Sequence, residues 1–158
     1  MDEDAVAAAI HETWRLQARQ EGWVMEPGLD RPFPELDEAA KENNRDAARR
    51  IPRGLAIAGL GLRRSGEGPE PALPEGELRA MLERCMEPMA EAEHDGWMED
   101  RVRRGWRYAP VRDDAHRRHP MMIPYARLPD AEKDKDRSNI RHYPDFAARA
   151  GYRIVKLA

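Results

Sequence analysis

Apolar residues fall at helical spacing near the start of the chain, at Val6, Ile10 and Trp14. The same spacing returns at Met89 and Trp97, with Glu93 taking the middle position. Each run predicts a helix that stops at a glycine, Gly22 or Gly105, because glycine suits the left-handed turn that ends helices. Pro88 breaks or starts the helix in the second run. Beyond the glycines, "PFPEL" and "PYARLP" place a proline near a second helix start, with Glu35, Asp37, Asp130 and Glu132 suited to its positive end. That helix runs to about Arg50 or His142. Pro52 and Pro144 each open a further short helix, which ends at Gly59 or Gly151. The alternation in "LGLRR" and "YRIVKL" then predicts two short strands. The fold class is mainly α with short β-strands, α+β.

The recurrence extends to individual residues, so the chain reads as an internal repeat. With an offset of 83, His11, Trp14, Gly22, Trp23 and Pro27 fall on His94, Trp97, Gly105, Trp106 and Pro110. With an offset of 92, Pro32, Leu36, Lys41, Arg45, Pro52 and Gly59 fall on Pro124, Leu128, Lys133, Arg137, Pro144 and Gly151. The second copy therefore carries nine extra residues between Pro110 and Pro124. The units are residues 4–64 and 77–157. Between them the Gly- and Pro-rich segment "RRSGEGPEPALPEG" supplies a linker, taken as 65–76. A 60-residue unit buries a marginal core alone, so the two copies are expected to pack about a pseudo-twofold axis with Trp14, Trp23, Trp97 and Trp106 buried between them.

Charge changes the functional picture more than the fold. Of 158 residues, 36% are charged, yet the formal net charge is only −3, which argues against a nucleic-acid partner. No run is apolar enough to cross a bilayer, and the first residues are acidic where a signal peptide would be basic, so no membrane association and a cytoplasmic location are expected. Cys85 is the one cysteine. It shares a helical face with Leu78, Met81 and Leu82 and is expected to be buried filler, not a reactive thiol.

In the second copy, His94 and Trp97, the pair Gly105-Trp106, Tyr108 with Pro110, Arg112-Asp113-Asp114, His119-Pro120, "PY", "LP", Glu132-Lys133, Asp136-Arg137 and Gly151-Tyr152 follow one another in an order and spacing that resembles the RyR repeat. That module occurs in tandem in the cytosolic part of ryanodine receptors and as free-standing proteins in bacteria, archaea and phages. The resemblance covers residues 77–157 densely. The first copy lacks the R-D-D and H-P segment and has Leu60 where the family has tyrosine. The resemblance implies a tandem RyR fold. It does not carry over the channel function of the receptors, whose pore lies elsewhere in those chains.

Candidate chemistry concentrates in "RDDAHRRHP", present in the second copy alone. Arg112, Arg117 and Arg118 offer forked donors to a phosphate or carboxylate, and Trp106 and Tyr108 lie near enough in sequence to stack on a planar ring. The bland alternative is a surface loop held by its own ion pairs. Asp113, Asp114, His116 and His119 match no metal-site spacing, and the arginines oppose a cation. Lys41 with Arg45 and Lys133 with Arg137 lie at i, i+4, either lining an anion groove or forming solvated faces. The sign-alternating run "EKDKDR" reads as an exposed helix supported by local pairs. His11 and His94 are expected to serve the scaffold by bonding a backbone carbonyl or the other copy.

Walker, nucleophile-elbow and dinucleotide-binding signatures are missing, so no enzyme and no cofactor are expected. The expected function is a non-catalytic binding module for a small anionic or nucleotide-like ligand. Its candidate site residues are Trp106, Tyr108, Arg112, Asp113, His119, Lys133 and Arg137. The alternative is a protein-protein adaptor without a small ligand. A monomer or a weak homodimer fits either reading.

Overall fold

The computed structural model describes all 158 residues. Helix α1 spans Glu3–Glu21 and is capped as its sequence suggests. The Asp2 carboxylate accepts the Ala5 N–H, Glu3 and Asp4 sit in the first turn, and Gly22 closes the end at φ +74°. A 3-10 turn over Phe33–Glu35 leads to α2, Glu38–Ile57, where Asp37 accepts the Ala40 N–H. Strand β1 follows at Leu60–Arg64. Helix α3 (Glu75–Arg84) and α4 (Met86–Arg103) meet at Cys85, and Pro88 lies in the first turn of α4. The residue pairs β2 (Arg107–Tyr108) and β3 (Arg118–His119) enclose the R-D-D loop. A second 3-10 turn, Tyr125–Arg127, precedes α5 (Asp130–Arg141), α6 (Tyr143–Arg149) and β4 (Tyr152–Lys156).

The molecule is mainly helical with a few short strands, as expected. One expectation fails. Pro52 does not open a separate helix, because α2 runs straight through it to Ile57. A mid-helix proline costs about 3 kcal/mol through one lost hydrogen bond and a clash. Here Ile51 and Leu55, on either side, are both fully buried, and their packing outweighs that cost. At the matching Pro144 the helix does break, two residues earlier at His142.

Strands β1 and β4 pair antiparallel, with Leu62 opposite Ile154 at the centre of the register and Leu60 and Arg64 opposite Lys156 and Tyr152 at its ends. Both strands, both 3-10 turns and the starts of α2 and α5 lie 92 positions apart in the chain. The ladder ties the two ends of the chain together over one core. Val6 and Ile10 of α1, Ile51 and Leu55 of α2, Leu78 and Leu82 of α3, Met89 of α4 and Phe146 of α6 pack there. Cys85 is half-buried against the same core. The Gly- and Pro-rich segment is fastened to the sheet: the Leu73 N–H donates to the Ile154 carbonyl, and Arg153 donates to the carbonyls of Glu67 and Glu70.

The four tryptophans do not form that core. Trp14, Trp97 and Trp106 are half-buried and Trp23 is 50% exposed. Trp23 and Trp106 each follow a left-handed glycine, at the point where the chain leaves its helix, so their rings lie over helix ends and line clefts. Aliphatic side chains from α1, α2 and α4 fill the centre together with the Tyr143 and Phe146 rings of α6.

Candidate functional site

Two histidines anchor the loops beside the clefts. The His11 Nε2–H donates to the Arg31 carbonyl at 2.6 Å, and the His94 Nε2–H donates to the Ile123 carbonyl at 2.7 Å. Both rings are buried, and each holds the chain just before the proline that opens its 3-10 turn. The scaffold role expected of them therefore holds. Because Nε2 carries the proton, the His94 Nδ1 is free to face the Asp136 carboxylate, 3.9 Å away.

A cavity of about 240 Å³ opens beside this pair, walled by Trp97, His119, Met121, Glu132 and Asp136. Burial, reinforced by the Glu93 charge, pushes the Asp136 carboxyl up to about 7. The reading of "EKDKDR" as wholly solvated is corrected here. Lys135 pairs with Glu132 and Arg137 with Asp134 as expected of an exposed face, but Asp136 is turned inward. His119 also faces this cavity. Its Nδ1 accepts the Met121 N–H at 3.0 Å, which fixes the proton of the neutral ring on Nε2. Burial and the Arg112 and Arg101 charges lower its pKa, so it is a neutral donor near pH 7.

Trp97, which walls this cavity, carries Arg101 over its ring, and Arg101 lines the next cleft. Its guanidinium lies over the Trp97 ring at 5.5 Å and the Trp106 ring at 4.8 Å, and no carboxylate stands within ion-pair distance. Burial and the neighbouring Arg112 and Arg50 charges lower its pKa, the signature of a cation held among cations. On its far side a cleft of about 810 Å³ separates α2 from the end of α4. Arg101, Arg103, Arg104 and Arg117 line it, against Glu38, Glu42 and Asp114. Arg103 and Arg104 are committed to the buried Asp46, and Arg104 also reaches Glu42. Arg117 donates to the Arg104 carbonyl from a left-handed backbone at φ +55°, a conformation costly for a residue with a Cβ. Arg101 and Arg117 thus keep unpaired charge at the cleft.

Of the residues singled out from sequence, the fold gathers Trp106, Tyr108, Arg112, Asp113 and His119 around β2 and β3. Trp106 and His119 lie 6.2 Å apart, and Tyr108 is paired in register with His119 while its side chain stays 55% exposed. Arg112 is engaged by Asp114 at 2.7 Å, and Asp113 accepts from the His116 Nδ1–H at 2.6 Å. Lys133 and Arg137 are directed elsewhere. Lys133 sits over the Tyr125 ring at 5.3 Å, while Arg137 grips Glu87 and Asp134. Arg137, with Tyr125 donating to the same carboxylate, holds Glu87 down at about 2. Of the two readings of the i, i+4 pairs, the anion groove is not formed: Lys41 and Arg45 are paired with Glu38, Glu42 and Asp4.

A family model described as the RyR domain matches residues 69–156, more than half of the chain. The chain belongs to the RyR domain family. The matched RyR domain contains the R-D-D loop, both tryptophans around Arg101, His119 and Asp136. Sequence inspection missed Arg101 although its signal was present: it lies four residues after Trp97, where one helix turn sets its stem beside the indole. The sequence marks Asp136 only as part of the RyR resemblance, because its inward placement depends on Glu93, His94 and the other elements packed around α5. No helix is long and apolar enough to cross a membrane.

Proposed function

We propose that this RyR domain protein is a non-catalytic binding module that takes a small anionic, nucleotide-like ligand in the second half of the chain, with Arg101 as its anion anchor. The observation that carries this reading is the Arg101 guanidinium. It is withdrawn from water, stacked by two indoles and unpaired, at the border of an arginine-lined cleft and an aromatic cavity. A protein tolerates an unpaired half-buried cation where an external anion completes it. Arg117 adds a second free fork. The neutral His119 Nε2–H and the Trp97 face suit the polar edge and flat surface of a ring.

We further infer that the chain is one unit duplicated, with its copies related by a pseudo-twofold axis. The support is internal. The β1–β4 ladder is unchanged when each residue is exchanged for its counterpart 92 positions away, and both histidines bond counterpart carbonyls. The polar groups of the cavity are those in which the copies differ. Ala40, Asn43 and Asn44 stand where the second copy has Glu132, Lys135 and Asp136.

The test is a melting-temperature screen against nucleoside mono-, di- and triphosphates and simple anions. A ligand at about a hundred times its Kd contributes about 2.7 kcal/mol, enough for a rise of about 5–10 °C in a chain of this size. Arg101→Ala is expected to remove the rise, and Arg101→Lys, which keeps the charge but not the fork, to reduce it. A flat screen overturns the reading. The adaptor alternative has its own observation, an exposed apolar patch formed by Val102 and Tyr108 beside Met98 and Met122. It predicts a protein partner lost on Val102→Asp, with Arg101→Ala indifferent.

A further inference from the structure

The cleft that holds Arg101 has a counterpart in the first half of the chain, and that counterpart lacks the arginine. The correspondence is fixed by backbone bonding. The Trp106 N–H donates to the Arg101 carbonyl at 2.9 Å, and the Trp23 N–H donates to the Ala18 carbonyl at 2.8 Å, each after a left-handed glycine. Ala18 therefore occupies the place of Arg101, with Trp14 and Trp23 in the places of Trp97 and Trp106. The opposite walls correspond as well: Ala39, Glu42 and Asn43 of α2 face one cleft, while Ala131, Asp134 and Lys135 of α5 face the other.

In the second half, the guanidinium of Arg101 fills the space between the indoles. In the first half, the side chain stops at the Cβ of Ala18, which is buried and does not itself line the cavity, while Trp14 and Trp23 both line an open cavity of about 420 Å³. Trp14 is steadied by His142, 5.0 Å away, and by Phe146, so that wall is preformed. The charged residues on the rim are already neutralised, Asp134 by Arg137 and Lys135 by Glu132, so the indoles set the preference of the cavity.

We propose that the Trp14–Trp23 cavity is a receptor for a planar cation, a guanidinium supplied from outside the chain that takes the place Arg101 takes in the other half. A guanidinium stacks on indole and sheds water more readily than an ammonium, so arginine is favoured over lysine. A neutral ring lacks the electrostatic attraction that the electron-rich indole faces exert. The inference rests on the correspondence of the two halves and is independent of the anion ligand, since neither Trp14 nor Trp23 lines the Arg101 cleft.

The experiment is a titration of the full chain with N-acetyl-arginine amide, followed through the indole N–H resonances and tryptophan fluorescence. The lysine counterpart and free indole serve as comparisons. The expected result is saturable movement of the Trp14 and Trp23 signals at millimolar ligand, about tenfold weaker with the lysine compound, the size a cation–π contact supports. Trp23→Ala removes a half-exposed wall without touching the core and is expected to weaken binding at least about fivefold. Trp23→Phe, which keeps a flat ring with a weaker pull on a cation, is expected to weaken binding less than Trp23→Ala. Equal binding of the arginine and lysine compounds, tighter binding of indole, or no saturable shift overturns the proposal. A short Gly/Ser peptide with one central arginine separates the two sources of the cation. Binding much tighter than the free amide assigns a protein partner, and equal binding assigns a small molecule.

Discussion

Replacing Asp136 by asparagine tests the electrostatics of the second-half cavity, because it keeps the shape of the side chain and removes its charge. The carboxyl is held up at about 7 by burial and by the Glu93 charge, and only 18% of the side chain is exposed. In the unfolded chain the same group titrates at its ordinary value of 3.8. Between those values the native state keeps a proton that the unfolded state gives up. This contribution to stability is therefore fully present below about pH 4, declines as the pH rises and is lost above about pH 7. Moving the carboxyl from 3.8 to about 7 corresponds to about 4 kcal/mol. At low pH the wild-type chain and Asp136→Asn are expected to be about equally stable. Near pH 8 the asparagine variant is expected to be more stable by up to that amount, reduced by whatever local opening admits water. Urea midpoints of both proteins at about pH 4.5, 6 and 8 measure the difference, in which titrations common to both cancel. A difference that does not change with pH, or an asparagine variant that loses stability as the pH rises, refutes the assignment of Asp136 as a carboxyl held neutral by its surroundings.

Three further changes probe the contacts between α2, α4 and α6. A Cβ at Gly96 would stand 2.6 Å from the Arg50 Cδ, while Arg50 is bound to Glu93 at 3.0 Å and Asp100 at 2.7 Å. Gly96→Ala is therefore expected to cost about 2–4 kcal/mol in urea unfolding by stranding buried charge. The Tyr143 hydroxyl is buried without a hydrogen-bond partner, so Tyr143→Phe is expected to leave stability unchanged or raise it by about 1 kcal/mol; a loss above about 1 kcal/mol would reveal a hidden partner. Pro52 interrupts the bonding of a continuous helix, and Pro52→Ala is expected to raise the melting temperature, with about 1–2 kcal/mol remaining after the entropy regained by the unfolded chain.

Much of the fold was legible because its signals are local. Asp2 and Asp37 sit where capping requires an acceptor, Gly22 and Gly105 where the backbone turns left-handed, and the alternation of "LGLRR" and "YRIVKL" has a period of two. His11 and His94 were read correctly as scaffold because each precedes a tryptophan by the same step in both halves. The tryptophans were misread as core. Size and apolarity say that an indole gains from burial, but not whether helices leave room for it.

The candidate site divides along the same line. His119 lies in the insertion between Pro110 and Pro124, the one break between the two runs, while Trp106 and Tyr108 precede it and stand out in the sequence as aromatic neighbours of that loop. Arg112, Asp113, Lys133 and Arg137 are each engaged by partners of their own, and residue order does not assign those pairings. Asp114 holds Arg112, and Glu87, fifty positions from Arg137, holds that side chain.

By itself the sequence determined most of the helical segments, the two paired strands and the membership of the RyR domain family, since each depends on neighbours a few residues apart or on residue order. The tertiary structure alone decided which charges are free. Of the arginines, Arg101 is caught between two indoles with no carboxylate in reach, while Trp14 and Trp23 line an open cavity. The physical reason is that electrostatic satisfaction depends on distances of a few ångströms between elements far apart in the chain, and residue order does not encode those distances.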